Sequence, residues 1–384
     1  MPAQEPIRVL HLITWLVHGG IEKWLLEMTR ATPRSRCVMD FCCKGPAVGW
    51  RAGVARDLGA TVWHCPLRPP GIGFIRRLKQ ILSEGRYDVL HVHLDAHSGL
   101  PVYVARSVGL PVIVTFHNTY FAPAVWWMKL PLMRNLRALY ANRSVQYAVK
   151  HATLVTGVSR GVLESVYRPH APDPQRSRVL YLGSVTPAPQ SGEQRAALRQ
   201  TIGVPPTAPV VLHVASFSPA KNHAGLLRIF QKIAAAVPGS HLVMVGDGVL
   251  RTSIEESVKQ YPFRDRLHFL GARDDVPALM QASDIFLFPS LHEGFGIVLI
   301  EAQAAGLPIV AARIAGVTEA VQDGVTAILH DPADLEAMAA SAVGLLIDPA
   351  RARALGEAGR QRHRDNFTQE AAVERLLKLY AEVH

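Results

Sequence analysis

Two glutamates flank a glycine-rich turn in the second half of the chain. Glu293 directly precedes Gly294, Phe295 and Gly296, and Glu301 follows a short distance further on. Glycine lets the backbone approach a ligand closely, and the N-terminus of a helix directs free N–H groups and a positive dipole end towards one point. The turn is therefore predicted to bind a phosphate group. The alternative is an ordinary strand–helix unit with two solvated glutamates.

The residues around this turn predict the order strand, turn, helix, turn, strand. The apolar run 285–288 is typical of a buried parallel strand. A helix is predicted from about 297 to 305, ended by Gly306 and Pro308. A further strand is predicted to begin at Ile309.

A lysine precedes another predicted helix. The strand predicted at 210–214 leads into a loop that carries Ser216 and Lys221, and a helix is predicted from about Ala224. A cation just before a helix start is well placed to meet a phosphate. The alternative is a solvated loop lysine.

These motifs resemble the retaining GT-B glycosyltransferases of family GT4. The resemblance covers almost the full length and is most specific in residues 285–320. It implies an α/β fold of the GT-B type, in which two doubly wound Rossmann-like domains face each other across a cleft. It also implies metal-independent transfer of a hexose, with retention of anomeric configuration, from a UDP-sugar or a GDP-sugar. That donor is a substrate, and no cofactor is expected.

The resemblance also implies roles for the residues of the second half. Glu301 is expected to bind the ribose hydroxyls and Glu293 the donor sugar, whereas Lys221 is expected on the nucleotide phosphates. The amides of Gly294, Phe295 and Gly296 are expected to contact sugar and phosphate. The family usually carries an arginine where this chain has Ser216, so part of the neutralisation of the diphosphate is left unassigned; Arg273 is a candidate substitute.

The first half carries two more candidate site features. Gly19 and Gly20 follow the first predicted strand, where backbone N–H groups could face a ligand, although a plain tight turn needs glycine too. The resemblance implies that they lie near the leaving phosphate and the acceptor. His117 follows a predicted buried strand, at the carboxyl end where α/β folds place ligand contacts. The resemblance implies that His117 contacts the donor sugar, so His117, Glu293 and Lys221 are the predicted catalytic residues.

A group of polar residues, His91, His93, Asp95 and His97, could suggest a metal site, because imidazole is a common ligand. Hydrogen bonds serve histidines at a strand end equally well, and no second histidine–carboxylate group has matching spacing. The acidic pair Asp274 and Asp275 is interpreted as a helix cap. No metal site is predicted.

The net charge of +10 is unevenly distributed. Residues 1–180 contain 23 Lys and Arg against 10 Asp and Glu, whereas residues 181–384 contain 18 against 21. A basic half favours an anionic partner, and without a nucleic-acid-binding pattern an anionic membrane surface or acceptor is preferred to nucleic acid. Residues 124–140 have the composition of a helix that lies on anionic lipid, and residues 74–82 have the same character; both could instead pack on the sheet. In the first segment the apolar residues are Leu132, Met133, Leu136, Leu139 and Tyr140, the cations are Lys129, Arg134 and Arg137, and Trp126 and Trp127 lie at one end.

Length and composition predict two domains. The linker-like segment 187–192 places them at 1–187 and 188–365. An apolar stripe predicts a terminal helix within 366–384, and the resemblance implies that this helix crosses back to the first domain. The chain contains no run of eighteen uncharged apolar residues and no signal-peptide pattern. Its four cysteines lack metal-type spacing and are predicted to be buried free thiols. The expected location is the cytoplasm, with peripheral attachment to the inner face of the cell membrane as an open alternative.

The favoured function is therefore transfer of a hexose to a hydroxyl of a lipid-linked or polysaccharide-precursor acceptor at the cytoplasmic membrane face. Three alternatives stay open: a transferase with a small soluble acceptor, a GT-B nucleotide-sugar epimerase, and an inactive nucleotide-sugar binder. Donor base, sugar, acceptor and oligomeric state are not encoded in any recognisable motif.

Overall fold

The computed structural model describes residues 5–17, 19–69, 71–119 and 131–384, with side chains from 135 onward in the last range. The chain divides into two compact units. Unit 1 comprises Met1–Leu182 and Gln369–His384, and unit 2 comprises Gly183–Thr368. The boundaries expected at 187/188 and 365/366 lie within a few residues of these positions.

Unit 1 is built on a parallel sheet with the strand order β3-β2-β1-β4-β5-β6-β7. Its central strands consist almost entirely of buried residues, as expected for strands covered by helices on both faces. The strands are β1 (Ile7–Ile13), β2 (Cys37–Cys43), β3 (Val62–His64), β4 (Val89–Val92), β5 (Val112–Phe116), β6 (Leu154–Gly157) and β7 (Ser177–Val179). The helices are α1 (Gly20–Ala31), α2 (Ala52–Asp57), α3 (Ile72–Gly85), α4 (Gly99–Ser107), α5 (Pro131–His151), α6 (Arg160–Tyr167) and, at the end of the chain, α15 (Gln369–Val383).

Helix α15 is anchored to unit 1 along its length. Its first residue, Gln369, donates from Nε2 to the carbonyl of Glu27 at 3.0 Å. Glu374 accepts two hydrogen bonds from Arg36, at 2.5 and 3.1 Å, and Glu382 pairs with Arg178. These contacts bring Tyr380, which is fully buried, onto the sheet of unit 1.

Unit 2 repeats the architecture with the strand order β10-β9-β8-β11-β12-β13. Its core lies between the sheet and the helices and is formed mainly by Leu, Ile, Val and Phe side chains. The strands are β8 (Val210–Val214), β9 (His241–Val245), β10 (Leu267–Phe269), β11 (Ile285–Phe288), β12 (Ile309–Ala312) and β13 (Ala327–His330). The helices are α7 (Gly192–Thr201), α8 (His223–Ala236), α9 (Arg251–Ser257), α10 (Val276–Gln281), α11 (Ile297–Ala305), α12 (Ala315–Ala320), α13 (Leu335–Ile347) and α14 (Pro349–Asn366).

The two segments proposed to touch lipid differ in the structure. The apolar stripe of α3 is buried, because Phe74, Leu78 and Ile81 pack inside unit 1. In α5, by contrast, Leu136 and Leu139 are 58% and 51% exposed. Trp126, Trp127 and Lys129 lie outside the described residues, as do the side chains of Leu132, Met133 and Arg134.

Two further observations bear on the predictions. None of the helices in the described part of the chain is long and apolar enough to span a bilayer. All four cysteines are buried free thiols, as predicted.

Candidate active site

The strand order of unit 2 creates a switch point between β8 and β11. These neighbouring parallel strands lead into connections that run to opposite sides of the sheet. In open α/β sheets, ligands bind beyond the carboxyl ends of the strands at such a point. The loop after β8 carries Lys221 and the loop after β11 carries Glu293, so these two predicted site residues are adjacent.

Lys221 and Glu293 form an ion pair between Nζ and Oε1. The two side chains are 20% and 9% exposed, so solvent screens the pair only in part. The ammonium also lies 5.8 Å from the centre of the Phe288 ring. The pair therefore holds a cation and a carboxylate at fixed positions beside the two loops.

Backbone contacts join these loops and set the position of Lys221. The amide of Leu291 donates to the carbonyl of Ala220 at 2.7 Å, and Nδ2 of Asn222 donates to the carbonyl of Pro289 at 3.2 Å. Asn222 also caps α8, since its Oδ1 accepts from the amide of Gly225 at 3.1 Å. Lys221 is thus held on both sides.

The glycine turn leads into helix α11. Gly296 is the N-cap residue with φ of +77°, a left-handed conformation that glycine adopts without strain. The ring of Phe295 is buried and lies edge-on to Phe367, with ring centres 5.6 Å apart. Gly316 allows close packing, since a Cβ there would lie 2.6 Å from the carbonyl oxygens of Glu293 and Gly294. Because the ring of Phe295 is buried, any contact of this residue with a substrate must come from its backbone.

Glu301 lies on α11, one turn after the first helical residue, and is partly buried. It follows the turn on the same strand–helix unit that carries Glu293. The structure therefore brings the predicted carboxylates, glycines and lysine together at one edge of unit 2.

The loop position expected to carry an arginine holds Ser216, whose hydroxyl lies 3.4 Å from that of Ser218. Arg273 is engaged by Asp275 through two hydrogen bonds, Nε to Oδ1 at 2.7 Å and Nη2 to Oδ2 at 2.6 Å. This pairing raises the pKa of Arg273 and lowers that of Asp275. Asp275 is the N-cap residue of α10, as the interpretation of this acidic pair expected, but its side chain makes no cap hydrogen bond and pairs with Arg273 instead.

In unit 1, His117 lies just beyond β5 and is 5% exposed. Its amide donates to Oδ1 of Asp95 at 2.9 Å, and Nε2 lies 2.9 Å from Nδ1 of His93. Among the described residues, Nδ1 of His117 has no hydrogen-bond partner. Burial lowers the pKa of His117 to about 3, so the ring is neutral near pH 7.

Gly19 and Gly20 stand at the start of α1, as predicted, and Gly19 is the N-cap residue in an extended conformation. The carboxylate of Glu22 lies against Gly19, since a Cβ there would be 2.0 Å from Oε2. Burial raises the pKa of Glu22. The helix start that was expected to face a phosphate thus has a carboxylate of its own chain beside it.

The histidines of unit 1 are joined in a way that the sequence did not reveal. His91 and His93 do share one face of the sheet, but their neighbours are His11 on β1 and Tyr380 on α15. His11, absent from the predicted cluster, could have been found as a polar residue inside an otherwise apolar strand. The sequence pattern did not indicate a polar role for Tyr380, because the other residues of its helix stripe are apolar. Nitrogens of His11, His91 and His93 lie within 4.8 Å of one another, a spacing that a metal ion could also bridge.

Comparisons with known proteins cover both units. Residues 19–183 match the glycosyl transferase 4-like domain, and residues 194–362 match glycosyl transferases group 1. The D-inositol 3-phosphate glycosyltransferase of Rhodococcus opacus is 31% identical over 308 residues, covering 77% of this chain and 67% of that protein. The GDP-mannose-dependent alpha-(1-6)-phosphatidylinositol monomannoside mannosyltransferase of Mycolicibacterium smegmatis is 28% identical, over 79% of this chain and 78% of the relative.

Among solved structures, Anabaena HepE in complex with UDP and glucose superposes with a TM-score of 0.82. The two sequences are 20% identical, and the match covers 98% of this chain and 100% of HepE. At that identity the likeness shows the fold, which is the GT-B fold predicted from the sequence.

Proposed function

The chain belongs to the glycosyl transferases group 1 family, and we propose that it moves a hexose from a nucleoside-diphosphate sugar to an acceptor hydroxyl. The observation that carries this proposal is the Lys221–Glu293 pair at the switch point of unit 2. A diphosphate needs a cation and N–H donors, and a sugar needs acceptors for its hydroxyl protons. The loops after β8 and β11 supply both kinds of group.

We assign Glu301 to the ribose hydroxyls, Glu293 to the donor sugar, and the amides of Gly294, Phe295 and Gly296 to sugar and phosphate. The ammonium of Lys221 is held by a carboxylate oxygen of Glu293. A phosphate oxygen offers the same charge to that ammonium, so a bound donor is expected to share or replace the contact.

In the proposed reaction the configuration at the anomeric carbon is retained and no metal takes part. The bond from that carbon to the leaving phosphate oxygen breaks while the acceptor oxygen attaches on the same face. The acceptor's proton passes to the leaving oxygen, and Lys221 stabilises the negative charge that grows there. His117 donates or accepts a hydrogen bond on the sugar, and Gly19 and Gly20 lie near the acceptor.

We further propose that the acceptor is lipid-linked and is used at the cytoplasmic face of a membrane. The excess of cations in residues 1–180 supports attraction to anionic lipid. Leu136, Leu139 and Tyr140 are exposed on α5 beside the exposed Arg137. A mycobacterial relative is named for a phosphatidylinositol monomannoside, whereas the Rhodococcus relative is named for the small soluble D-inositol 3-phosphate.

Product analysis tests the reaction. The protein is incubated with labelled UDP-glucose, UDP-N-acetylglucosamine or GDP-mannose, with either a polyprenyl phosphate lipid in vesicles or inositol phosphate as acceptor. Sugar transfer with an unchanged anomeric configuration is the expected result. An inverted product contradicts the retaining part of the proposal. Transfer to inositol phosphate alone identifies the transferase with a small soluble acceptor, conversion of the donor without acceptor identifies the epimerase, and binding without turnover identifies the inactive binder.

Vesicle flotation tests the membrane part separately. Arg137→Glu combined with Leu139→Asp is expected to reduce binding to anionic vesicles by about 100-fold, since the two substitutions together change the charge by three and each charge contributes on the order of 1 kcal/mol. Arg76→Glu is the matched control, because Arg76 is exposed on α3, a helix with a buried apolar face. Equal flotation of all three proteins would exclude α5 as the contact with lipid.

A further inference from the structure

A continuous line of hydrogen bonds crosses the interior of unit 1 and ends at His117. Its members are 0–7% exposed and belong to β1, β4, β5, β6, α15 and the segments that follow β4 and β5. Every link joins two side chains. We call it the histidine chain, and in order it contains Thr156, Thr115, His91, Tyr380, His11, His93 and His117.

The inner half of the chain joins hydroxyl and imidazole groups. Oγ1 of Thr156 lies 2.5 Å from Oγ1 of Thr115, which lies 2.6 Å from Nε2 of His91. Nδ1 of His91 lies 3.0 Å from the phenol oxygen of Tyr380, and that oxygen lies 3.4 Å from Nε2 of His11. Tyr380 is therefore the link between two histidines on neighbouring strands.

The outer half consists of imidazoles alone. Nδ1 of His11 lies 3.1 Å from Nε2 of His93, and Nδ1 of His93 lies 2.9 Å from Nε2 of His117. Burial lowers the pKa of His11 to about 3 and holds the pKa values of His91 and His93 well below the ordinary value. Each ring is thus neutral and has one N–H donor and one acceptor nitrogen.

In a chain of neutral rings, one choice of tautomer fixes all the others. If a ring accepts on one nitrogen it must donate from the other, so the links all point in the same direction. A hydroxyl can also accept on both sides, but its own proton is then left without a partner inside the sheet. With every hydroxyl also donating, two arrangements satisfy every link: donation towards His117, or donation away from it. The first leaves an N–H on Nδ1 of His117, and the second leaves a lone pair there.

The inner end distinguishes the two arrangements. When donation runs towards His117, the hydroxyl of Thr156 donates to Thr115 at 2.5 Å. When it runs away, that hydroxyl must instead donate to the carbonyl of Val114 at 3.4 Å, beyond the usual range for O–H···O bonds. The 3.4 Å link between Tyr380 and His11 is equally long in both arrangements, so the Thr156 hydroxyl makes the difference between them. A poorly satisfied hydroxyl inside the sheet is costly, so donation towards His117 is favoured.

We propose that the histidine chain fixes His117 as the tautomer with its proton on Nδ1, and that Tyr380 is the positioning residue that transmits this choice. His117 then presents an uncharged N–H donor to an oxygen of the substrate. This last step rests on the proposed function, in which His117 binds the transferred sugar. The tautomer itself does not depend on it.

A metal ion on His11, His91 and His93 is the competing use of the same atoms. It would occupy nitrogens that hydrogen bonds already pair, and would interrupt the chain between His11 and His93. The described residues need no ion to complete these links. Metal analysis of the purified protein is therefore one arm of the test.

The test is nitrogen NMR on protein labelled with ¹⁵N only in histidine, with the His117 signals identified by their loss in His117→Gln. We expect a directly bonded proton on Nδ1 and none on Nε2. The opposite pattern, an even mixture, or a stoichiometric metal ion would overturn the proposal. Because this readout needs no substrate, it is independent of whether the protein transfers sugar.

The variant Tyr380→Phe removes only the central hydroxyl. It is expected to give a mixture of His117 tautomers and to lower kcat about three- to tenfold, the value of one hydrogen bond, with the donor KM almost unchanged. Thr115→Val should act similarly, and Thr115→Ser should restore the wild-type pattern. An unchanged His117 pattern in Tyr380→Phe would refute the role of Tyr380.

The matched control is Tyr87→Phe, which removes another buried phenol hydroxyl of unit 1. That hydroxyl donates to Asp40 at 2.9 Å and accepts from Trp63, with no link to the histidine chain. It should leave the His117 pattern and kcat unchanged. A changed tautomer in Tyr380→Phe, with a wild-type protein that transfers no sugar, would uphold the chain and refute the proposed function.

Discussion

The two units arrange their first six strands in the same order but place different chemistry at their two central strands. Between β8 and β11, unit 2 holds an ion pair whose members are 20% and 9% exposed. Between β1 and β4, unit 1 holds the imidazoles of His11 and His91, both 0% exposed and both neutral. The same fold thus supports a charged site in one unit and an uncharged hydrogen-bond chain in the other.

The difference follows from what covers the functional groups at the central strands of each sheet. In unit 2 the loops after the strands leave the pair partly open to solvent, so charge is tolerated there. In unit 1, Tyr380 from α15 closes over the histidines, and burial removes their charge. Charged groups suit a diphosphate, and neutral rings suit a sugar hydroxyl.

Lys221→Ala gives the largest expected effect. The charge on the leaving phosphate would lose its cation, so kcat should fall about 10²–10³-fold. Glu293 would also lose its partner while only 9% exposed, so the melting temperature of the variant should fall too. Steady-state kinetics and thermal unfolding measure the two effects.

The control for this variant is Lys232→Ala, which removes an exposed lysine on α8 that pairs with Glu336. It should leave kcat unchanged. If Lys221→Ala kept kcat within about threefold of wild type, catalysis would not depend on the charge of Lys221.

Glu301→Ala should weaken nucleotide binding. Loss of the hydrogen bonds that the carboxylate accepts from two ribose hydroxyls is expected to raise the Kd about 10–100-fold. Calorimetry with UDP and GDP measures it, and Glu336→Ala, which removes an exposed glutamate on α13, is the control. Unchanged affinity in Glu301→Ala would remove Glu301 from the nucleotide site.

Much of unit 2 could be predicted from the sequence because its signals are local. The strand at 285–288, helix α11 and its glycine end all lie within one stretch, and each has its own pattern. The loop contacts that seat Lys221 beside Glu293 were not predictable, since Leu291 and Ala220 are distant in sequence. Only the resemblance to the family predicted that Lys221 and Glu293 belong to one site, because their spacing in the sequence does not predict it.

The histidine chain of unit 1 was not predicted for the same physical reason, since its members are distant in sequence. Tyr380 and His91 are 289 residues apart, and only the fold brings them within 3.0 Å. Helix α3 shows a different case, because its basic amphipathic pattern fits both a lipid surface and a sheet, and packing on the sheet was the favoured interpretation. Its buried Phe74 and Leu78 show that the sheet prevails.

Lowering the pH should reduce the stability of unit 1 through His117, whose ring is neutral in the folded protein. The folded pKa of His117 is about 3 against an ordinary value of 6.5. Between these values only the unfolded chain binds the proton, so the contribution of His117 is complete above pH 6.5 and is lost as the pH falls towards 3. The expected loss is about tenfold in the unfolding constant per pH unit for this ring.

Tryptophan fluorescence can follow this loss in unit 1, because all six tryptophans lie in the first 127 residues. Urea unfolding of wild type and His117→Gln at several pH values gives the difference directly. Burial raises the pKa of Asp95 to about 6, which acts in the opposite sense, but Asp95 is present in both proteins. Equal pH slopes for the two proteins would mean that His117 is not held neutral by the fold.

A change in ionic strength gives the smallest expected effect, and it distinguishes the charged site of unit 2 from the uncharged histidine chain of unit 1. Raising salt from about 0.1 M to about 1 M shortens the screening length from roughly 10 to 3 Å, so UDP affinity should fall a few-fold. The fall should be smaller in Lys221→Ala, because its cation is gone. The His117 tautomer should be the same at both salt concentrations, since its links join neutral groups shielded from ions. A salt-independent UDP affinity, or a tautomer that changes with salt, would show that the division between a charged unit 2 site and an uncharged unit 1 chain is wrong.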